Sequence, residues 1–338
     1  MAQCYKNFGS NFERLGEAKD AVEYYLRALN CDPNLAEAHF ALGNHYHRSG
    51  EFEEALDHFD ATVFPDGTLG TMSSIAGWRV NILFNLDDGQ GAFREINNLL
   101  SDADDETWIW PWCARQVANF GRTSVQNARA SVTFWARYIA AYPDTLSAVQ
   151  QSLLVKLYLR SNGEDFGASY DQFKVEFEEN IERIETEGAA FLWDRLGHWA
   201  QDEENWVEAE RCFRRAFDLD GSHYGYCLGT ALNFLGRCEE SLPILRKQAE
   251  EIQPDDMSWF QVAVAAERTG KLQEAISAYN KAIELNPNYD LAWFNLGGVH
   301  WNRKDFVEAS RIWKVAVEKF SDHELAHKLR QGIPMVLL

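Results

Sequence analysis

The feature that most constrains this chain is a pattern met twice in succession near its end, in residues 256–289 and again in residues 290–323. Each copy reads as two amphipathic helices divided by a turn. In the first copy Trp259, Val262, Ala263 and Ala266 share one helix face through their three- and four-residue spacing, and Ala275, Tyr279 and Ala282 share a face of the next helix. Gly270 stands where the chain must reverse, and Pro287 follows as a stop. The second copy repeats the arrangement with Trp293, Leu296, Gly297 and His300, then Ala309, Trp313 and Ala316. Small residues let two helices approach, while large ones fill the neighbouring groove. One such pair cannot bury its apolar face alone, so pairs must stack.

The same pattern opens the chain. Residues 2–35 carry Tyr5, Phe8, Gly9 and Phe12, a turn at Gly16, then Ala21, Tyr25, Ala28 and Pro33. A second copy begins at Ala36 with His39, Leu42, Gly43, Tyr46, Gly50, Ala55 and Phe59. It departs at Thr62 and Pro65, so its second helix is expected to end near Phe64. Another copy starts at Ala190, with Trp193, Leu196, Gly197 and Ala200, then Trp206, Ala209, Phe213 and Ala216. The next is expected to start early, at Ser222, with Leu228, Gly229, Leu232, Gly236, Ser241 and Leu245. There Gly225 takes the slot of a large aromatic, which predicts looser packing, and Pro243 lies near the start of the second helix, where it need not kink it.

On these residues the chain resembles the tetratricopeptide repeat (TPR) family, whose 34-residue unit places an aromatic, a leucine, a small residue and an aromatic in helix A, then Ala, an aromatic and Ala in helix B, with a proline near the end. The resemblance implies an all-α fold, a right-handed TPR superhelical solenoid with a degenerate central helical region. Residues 1–65 would hold N-terminal copies, 66–187 the degenerate TPR-like helices, 188–323 four copies, and 324–338 a capping helix and tail. In the centre, Val80, Leu83, Ala92, Ile96 and Leu99 take plausible core positions around a turn at 87–89. Asp102, Asp104, Asp105 and Glu106 make an acidic linker, and Pro111 marks the first turn of a helix pair over 108–120 and 125–141. A helix over 146–160 follows, and then a long one over 166–187 with Tyr170, Phe173, Phe177, Ile181 and Ile184 turned inward.

Composition narrows the function classes. A hydrophobic content of 46% with twelve tryptophans argues against disorder, and a net charge of −20 disfavours nucleic-acid backbones and anionic membranes. The charge suits a basic partner, or serves solubility. No signal peptide and no apolar run of roughly 18 residues is evident, so no membrane span and a cytoplasmic setting are expected. The cysteines at 4, 31, 113, 212, 227 and 238 form no CxxC pair and no close metal-ligand cluster, and read as reduced, buried packing residues. His39, His300 and His327 are expected to face neighbouring helices, while His45 and His47 point apart. No phosphate loop, HExxH, GxSxG or dinucleotide fingerprint occurs, so the chain is expected to be a non-enzyme without metal or cofactor.

In TPR proteins ligand contacts come from helix-A positions 2, 5, 9, 12 and 13, on the concave side. Carried over, these present Tyr226 and Phe234, then Met257 and Phe260, then Leu291, Phe294 and Trp301. Tyr226, Phe260 and Phe294 are expected to form a stripe across three repeats, able to anchor a partner helix or an extended peptide, unless a helix of this chain already fills the groove. Near the start the same positions give Gln3, Lys6, Ser10, Glu13 and Arg14, then Glu37, Phe40, Asn44, His47 and Arg48. Lys6, Arg14 and Arg48 offer charge for a carboxylate, with Asn44 beside them. The carboxylate clamp of chaperone-binding members is altered, because Ser10 and Ala41 replace its asparagines and Ser74 and Trp78 its Lys and Arg. The expected function is a scaffold or adaptor that holds a protein or peptide with an apolar anchor and basic flanks. Two other readings are a carrier of an apolar small molecule or lipid, suggested by Trp108, Trp110, Trp112 and Trp135, and an accessory subunit of an enzyme complex.

Overall fold

The computed structural model describes residues 1–62, 69–102, 109–184 and 186–332. These residues are helical, with no strand among them, and divide into two compact units, Met1–Ser169 and Tyr170–Leu338. The division falls inside the irregular 66–187 stretch.

The first unit holds α1 (Ala2–Leu15), α2 (Ala18–Cys31), α3 (Ala36–Ser49), α4 (Phe52–Asp60), α5 (Leu69–Asn85), α6 (Gly89–Asp102), α7 (Ile109–Phe120), α8 (Val125–Ala141) and α9 (Leu146–Ser161). Consecutive helices pair as hairpins from α1/α2 to α7/α8, each hairpin packs on the next, and α9 lies against α8. The second unit holds α10 (Tyr170–Ile181), α11 (Thr186–Asp202), α12 (Trp206–Leu219), α13 (Gly225–Phe234), α14 (Cys238–Lys247), α15 (Asp256–Arg268), α16 (Leu272–Leu285), α17 (Asp290–Asn302), α18 (Phe306–Lys319) and α19 (Glu324–Gly332). Its hairpins are α11/α12, α13/α14, α15/α16 and α17/α18.

Local chemistry sets the helix ends. Gly16 caps α1 at φ 78°, a left-handed conformation that costs a residue with Cβ, and its N–H and that of Glu17 reach back to Glu13 and Phe12 carbonyls. Side chains of Ser124, Asn205, Asp255 and Asp305 accept from backbone N–H groups in the first turns of α8, α12, α15 and α18.

The hairpins close by one recurring contact. Gly9 lies under Tyr25, Gly43 under Phe59, Gly197 under Phe213, Gly229 under Leu245 and Gly297 under Trp313. A Cβ at these glycines would stand 2.3 to 2.9 Å from the facing side chain, closer than packed atoms tolerate. In the α15/α16 hairpin Ala263 holds this place against Tyr279, and both are fully buried. In the irregular centre aromatic interlock takes over. Phe84 stacks on Phe120, Phe93 meets Phe134 edge-on, and Trp110 packs against Phe134, Tyr138 and Tyr142.

Several expectations are corrected. The second helix of the second copy ends at Asp60, not near Phe64, which with Pro65 lies outside the described residues. At this end the Thr62 hydroxyl donates to the His58 carbonyl at 2.9 Å, while the Thr62 N–H turns to the Phe59 carbonyl. The long helix over 166–187 is two elements. Asp165 accepts from the Gly167 N–H at 2.7 Å, with Gly167 at φ 87°, which holds off the start of α10. Three-residue hydrogen bonds from Arg183 and Ile184 then end it.

The copy expected from Ser222 begins its helix at Gly225, because the Asp220 carboxylate holds Ser222 and His223 in a turn. Packing at Gly225 is tight rather than loose, since a Cβ there would lie 2.9 Å from Gln248 Oε1. Gln248 stands where helix B ordinarily has alanine, so a large and a small residue have exchanged places across the hairpin. Beyond Lys247 the chain passes through a π-helical segment, Gln248–Ile252, closed by the Gln253 N–H on the Gln248 carbonyl at 2.8 Å. Pro243 lies inside α14, which continues through it.

Helix α19 covers the end of the last hairpin. Ala326 is buried against Phe294 and Trp313, and Arg330 donates to the Ser321 and Val317 carbonyls. The tail after residue 332 lies outside the described residues.

Candidate partner-binding groove

The first helices of successive hairpins in the second unit, α13, α15 and α17, border a cavity of about 580 Å³. Phe234 from α13 and Phe260 and Val264 from α15 give it apolar wall, with Leu272 and Tyr279 from α16 behind them. Asn233, Gln261, Asn295 and Asn302 supply amide side chains, and Glu267 and Arg268 one charge of each sign.

These groups are held by one another. Asn233 donates to the Gln261 carbonyl and side chain, both at 3.1 Å, and accepts from Ser241 Oγ at 2.5 Å. Arg268 donates to the Asn233 carbonyl at 2.5 Å, tying α15 to the end of α13. The Tyr279 hydroxyl donates to Glu267 at 3.0 Å, and burial pushes both the carboxyl and the phenol above their ordinary ranges. The walls are therefore set before any ligand arrives, which lowers the ordering cost of binding.

The expected stripe of Tyr226, Phe260 and Phe294 needs correction. Phe294 is only 4% exposed and belongs to the core, stacked on His323 while its carbonyl accepts from Trp313 Nε1 at 3.0 Å. Phe260 is 8% exposed, packed on Tyr279 and Tyr289, and shows the cavity only part of its ring. Tyr226 is half-buried, and burial raises its phenol. Phe234 is the open aromatic, 60% exposed and stacked on Trp206 at a centroid distance of 3.9 Å. Met257 and Leu291 are exposed but do not border the cavity, and Trp301 packs on Phe306 and Trp313. The polar lining was in reach of the same rule. Asn233, Val264, Glu267, Arg268 and Asn302 hold helix-A positions 9, 12 and 13 and line the cavity.

In the first unit, Arg48 lies 3.6 Å from Glu13, and Glu13 also accepts from Tyr25 at 2.9 Å. The Arg48 offered for an incoming carboxylate thus already faces one of the chain's own. Lys6 and Asn44 are half-buried and Arg14 is exposed. His39 and His58 share a hydrogen bond between Nδ1 atoms at 2.9 Å. His47 packs on Trp78, and His327, expected to face a neighbouring helix, is exposed. Trp110, Trp112 and Trp135, the described part of the tryptophan cluster, belong to the core of this unit, and Trp108 lies outside the described residues.

Cysteine burial is also corrected. Cys113, Cys212 and Cys238 are buried, but Cys4 and Cys31 are exposed and Cys227 is half-buried. Folding moreover gathers Asp194, His198 and Cys227, whose ligand-capable atoms all lie within 4.8 Å of one another. Residues this far apart in the chain gave no spacing signal.

Stacked two-helix repeats with small-on-aromatic closures define a helical-hairpin repeat protein. Comparison with known proteins names the repeat. The TPR repeat model matches residues 12–50 and 268–303, and the tetratricopeptide repeat model matches residues 38–63. Human tetratricopeptide repeat protein 6 is 36% identical over 61 residues, a match spanning 18% of this chain and 12% of that relative. The crystal structure of YrrB, described as a TPR protein with an unusual peptide-binding site, superposes with a TM-score of 0.50 at 21% identity, covering 58% of this chain and 97% of YrrB. The C-terminal part of a TPR repeat-containing protein from Cytophaga hutchinsonii gives a TM-score of 0.51 at 13% identity, covering 74% of this chain and 97% of that one. Within the matched residues, 12–63 and 268–303, the chain carries tetratricopeptide repeats. Among the described residues no helix is long and apolar enough to cross a membrane.

Proposed function

We propose that the chain is an interaction scaffold that binds an extended peptide in the groove bordered by α13, α15 and α17, without chemistry of its own. The cavity carries the reading. An apolar wall at Phe234 and Phe260 suits one anchoring side chain, while the amides of Gln261, Asn295 and Asn302 can both donate to and accept from a peptide backbone. The net charge of −20 favours basic residues flanking the anchor. The unusual peptide-binding site described for YrrB agrees with this use of the fold.

The buried Phe260 and Phe294 are poor choices for a test, because truncating them opens the core. Phe234 is open and Asn302 lies at a helix end. Peptides selected from a display library against the full chain would be measured by fluorescence anisotropy on wild type, Phe234→Ala and Asn302→Ala. Loss of the exposed aromatic should weaken binding by about tenfold or more, the cost of a central anchor. Equal affinities across wild type and both variants, with helicity intact, would sink the assignment.

A further inference from the structure

We propose that Asp194, His198 and Cys227 form a binding site for a zinc-class divalent cation that pins the α11/α12 hairpin to α13. Asp194 and His198 are one helical turn apart on α11, and Cys227 comes from the first turn of α13. Both neighbours converge on the same imidazole nitrogen. His198 Nε2 lies 3.6 Å from Asp194 Oδ1 and 3.7 Å from Cys227 Sγ. A nucleophile relay needs the thiol and the carboxylate on opposite ring nitrogens, so this geometry does not serve one. It does serve chelation. Tetrahedral zinc with ordinary bond lengths separates a nitrogen from a thiolate sulfur by about 3.5 Å and from a carboxylate oxygen by about 3.3 Å. The two separations from His198 Nε2 exceed these by only a few tenths of an ångström, and all three atoms lie within 4.8 Å of one another.

The surroundings favour the role. Arg195 grips Asp194 Oδ2 through two nitrogens, at 3.0 and 2.6 Å, which leaves Oδ1 to face the cluster as a single ligand oxygen. Phe213 meets the His198 ring edge-on, so the ring is packed from outside the cluster. Asp194 is buried, with its side chain 5% exposed, while that of His198 is 40% exposed, so the site has a closed side and an open one. Donor type selects the metal: a thiolate with an imidazole and a single carboxylate oxygen suits zinc, and not magnesium or calcium. Binding would release the Cys227 thiol proton to solvent, leave two anionic ligands against a dication, and give the fourth position to water.

The test uses the full chain, reduced and freed of metal, titrated with cobalt(II) and then zinc. One cobalt per chain should bind, with a thiolate-to-cobalt band in the near ultraviolet and the strong visible bands of a tetrahedral centre. Zinc should displace it and raise the melting temperature. Cys227→Ser should abolish the near-ultraviolet band, and His198→Gln should weaken zinc by more than the roughly 10–100-fold that disturbing an outer-shell partner costs. Cys238→Ser should change neither, because Cys238 lies in the core away from the cluster. Absence of a thiolate band in wild type, or a band that persists in Cys227→Ser, overturns the proposal. Circular dichroism of each metal-free variant checks its fold, and Cys227→Ala, which also removes the thiolate, replaces Cys227→Ser should the latter not fold.

Discussion

Adding one methyl group at Gly297 should destabilise the protein, while the same methyl at Gly298 should stabilise it. Both glycines lie in α17. On intrinsic helix propensity alone each Gly→Ala change favours the folded state by about 1 kcal/mol. At Gly298 nothing lies within 4 Å of the new Cβ, so that gain should be realised. At Gly297 the Cβ would stand 2.3 Å from Trp313 Nε1 and 2.4 Å from its Cδ1. The indole must move, and it is held by its own hydrogen bond to the Phe294 carbonyl at 3.0 Å. Overpacking of this kind costs about 1–3 kcal/mol, and a strained or lost buried hydrogen bond about 1–3 more. With the propensity gain subtracted, Gly297→Ala should cost about 1–5 kcal/mol. Urea titrations followed by circular dichroism and tryptophan fluorescence would read both variants as midpoint shifts of opposite sign. A Gly297→Ala midpoint at or above that of Gly298→Ala would refute the close approach as the basis of hairpin closure.

Acid should weaken the first unit by a histidine route. His58 is held below the usual histidine range by burial first and then by the neighbouring His39, and His47 by burial and then Arg48. The unfolded chain takes up protons that the folded chain refuses, so stability rises with pH and is lost as pH falls from about 7 through 5. Unfolding midpoints measured across that window should fall less steeply in His58→Phe than in wild type, and equal slopes would contradict the assignment. Phe173 is fully buried in α10, against Phe177 and Trp199. Phe173→Ala should cost about 3–5 kcal/mol by urea unfolding, and a loss under about 1 kcal/mol would show that α10 is not a packed part of the second unit.

The regular hairpins were legible because their contacts are local and periodic. Ala21, Tyr25 and Ala28, or Ala275, Tyr279 and Ala282, announce a helix face by spacing alone. Helix limits were hidden where a side chain competes with the backbone, as Thr62 does for the His58 carbonyl and Asp220 for the N–H of Ser222. The groove was half legible. Repeat position brought Phe234 and Phe260 to it, but position does not say how deep a ring sinks, and Phe294 belongs to the core that α19 covers. The Asp194, His198 and Cys227 cluster was out of reach because it joins two hairpins whose register shifts between them.

The exchange between Gly225 and Gln248 bears on how this repeat can change over generations. Gln248 is 2% exposed, and its Oε1 lies 2.9 Å from where a Gly225 Cβ would be. A mutation that restores the aromatic at 225 alone drives a ring into the glutamine. One that restores alanine at 248 alone empties the space the glutamine fills. Each single change toward the common repeat meets a mismatch of volume, while the two together keep the volume of the pair. The two positions are therefore tied to one another within this hairpin, and a duplicated copy of it would carry its private pairing along.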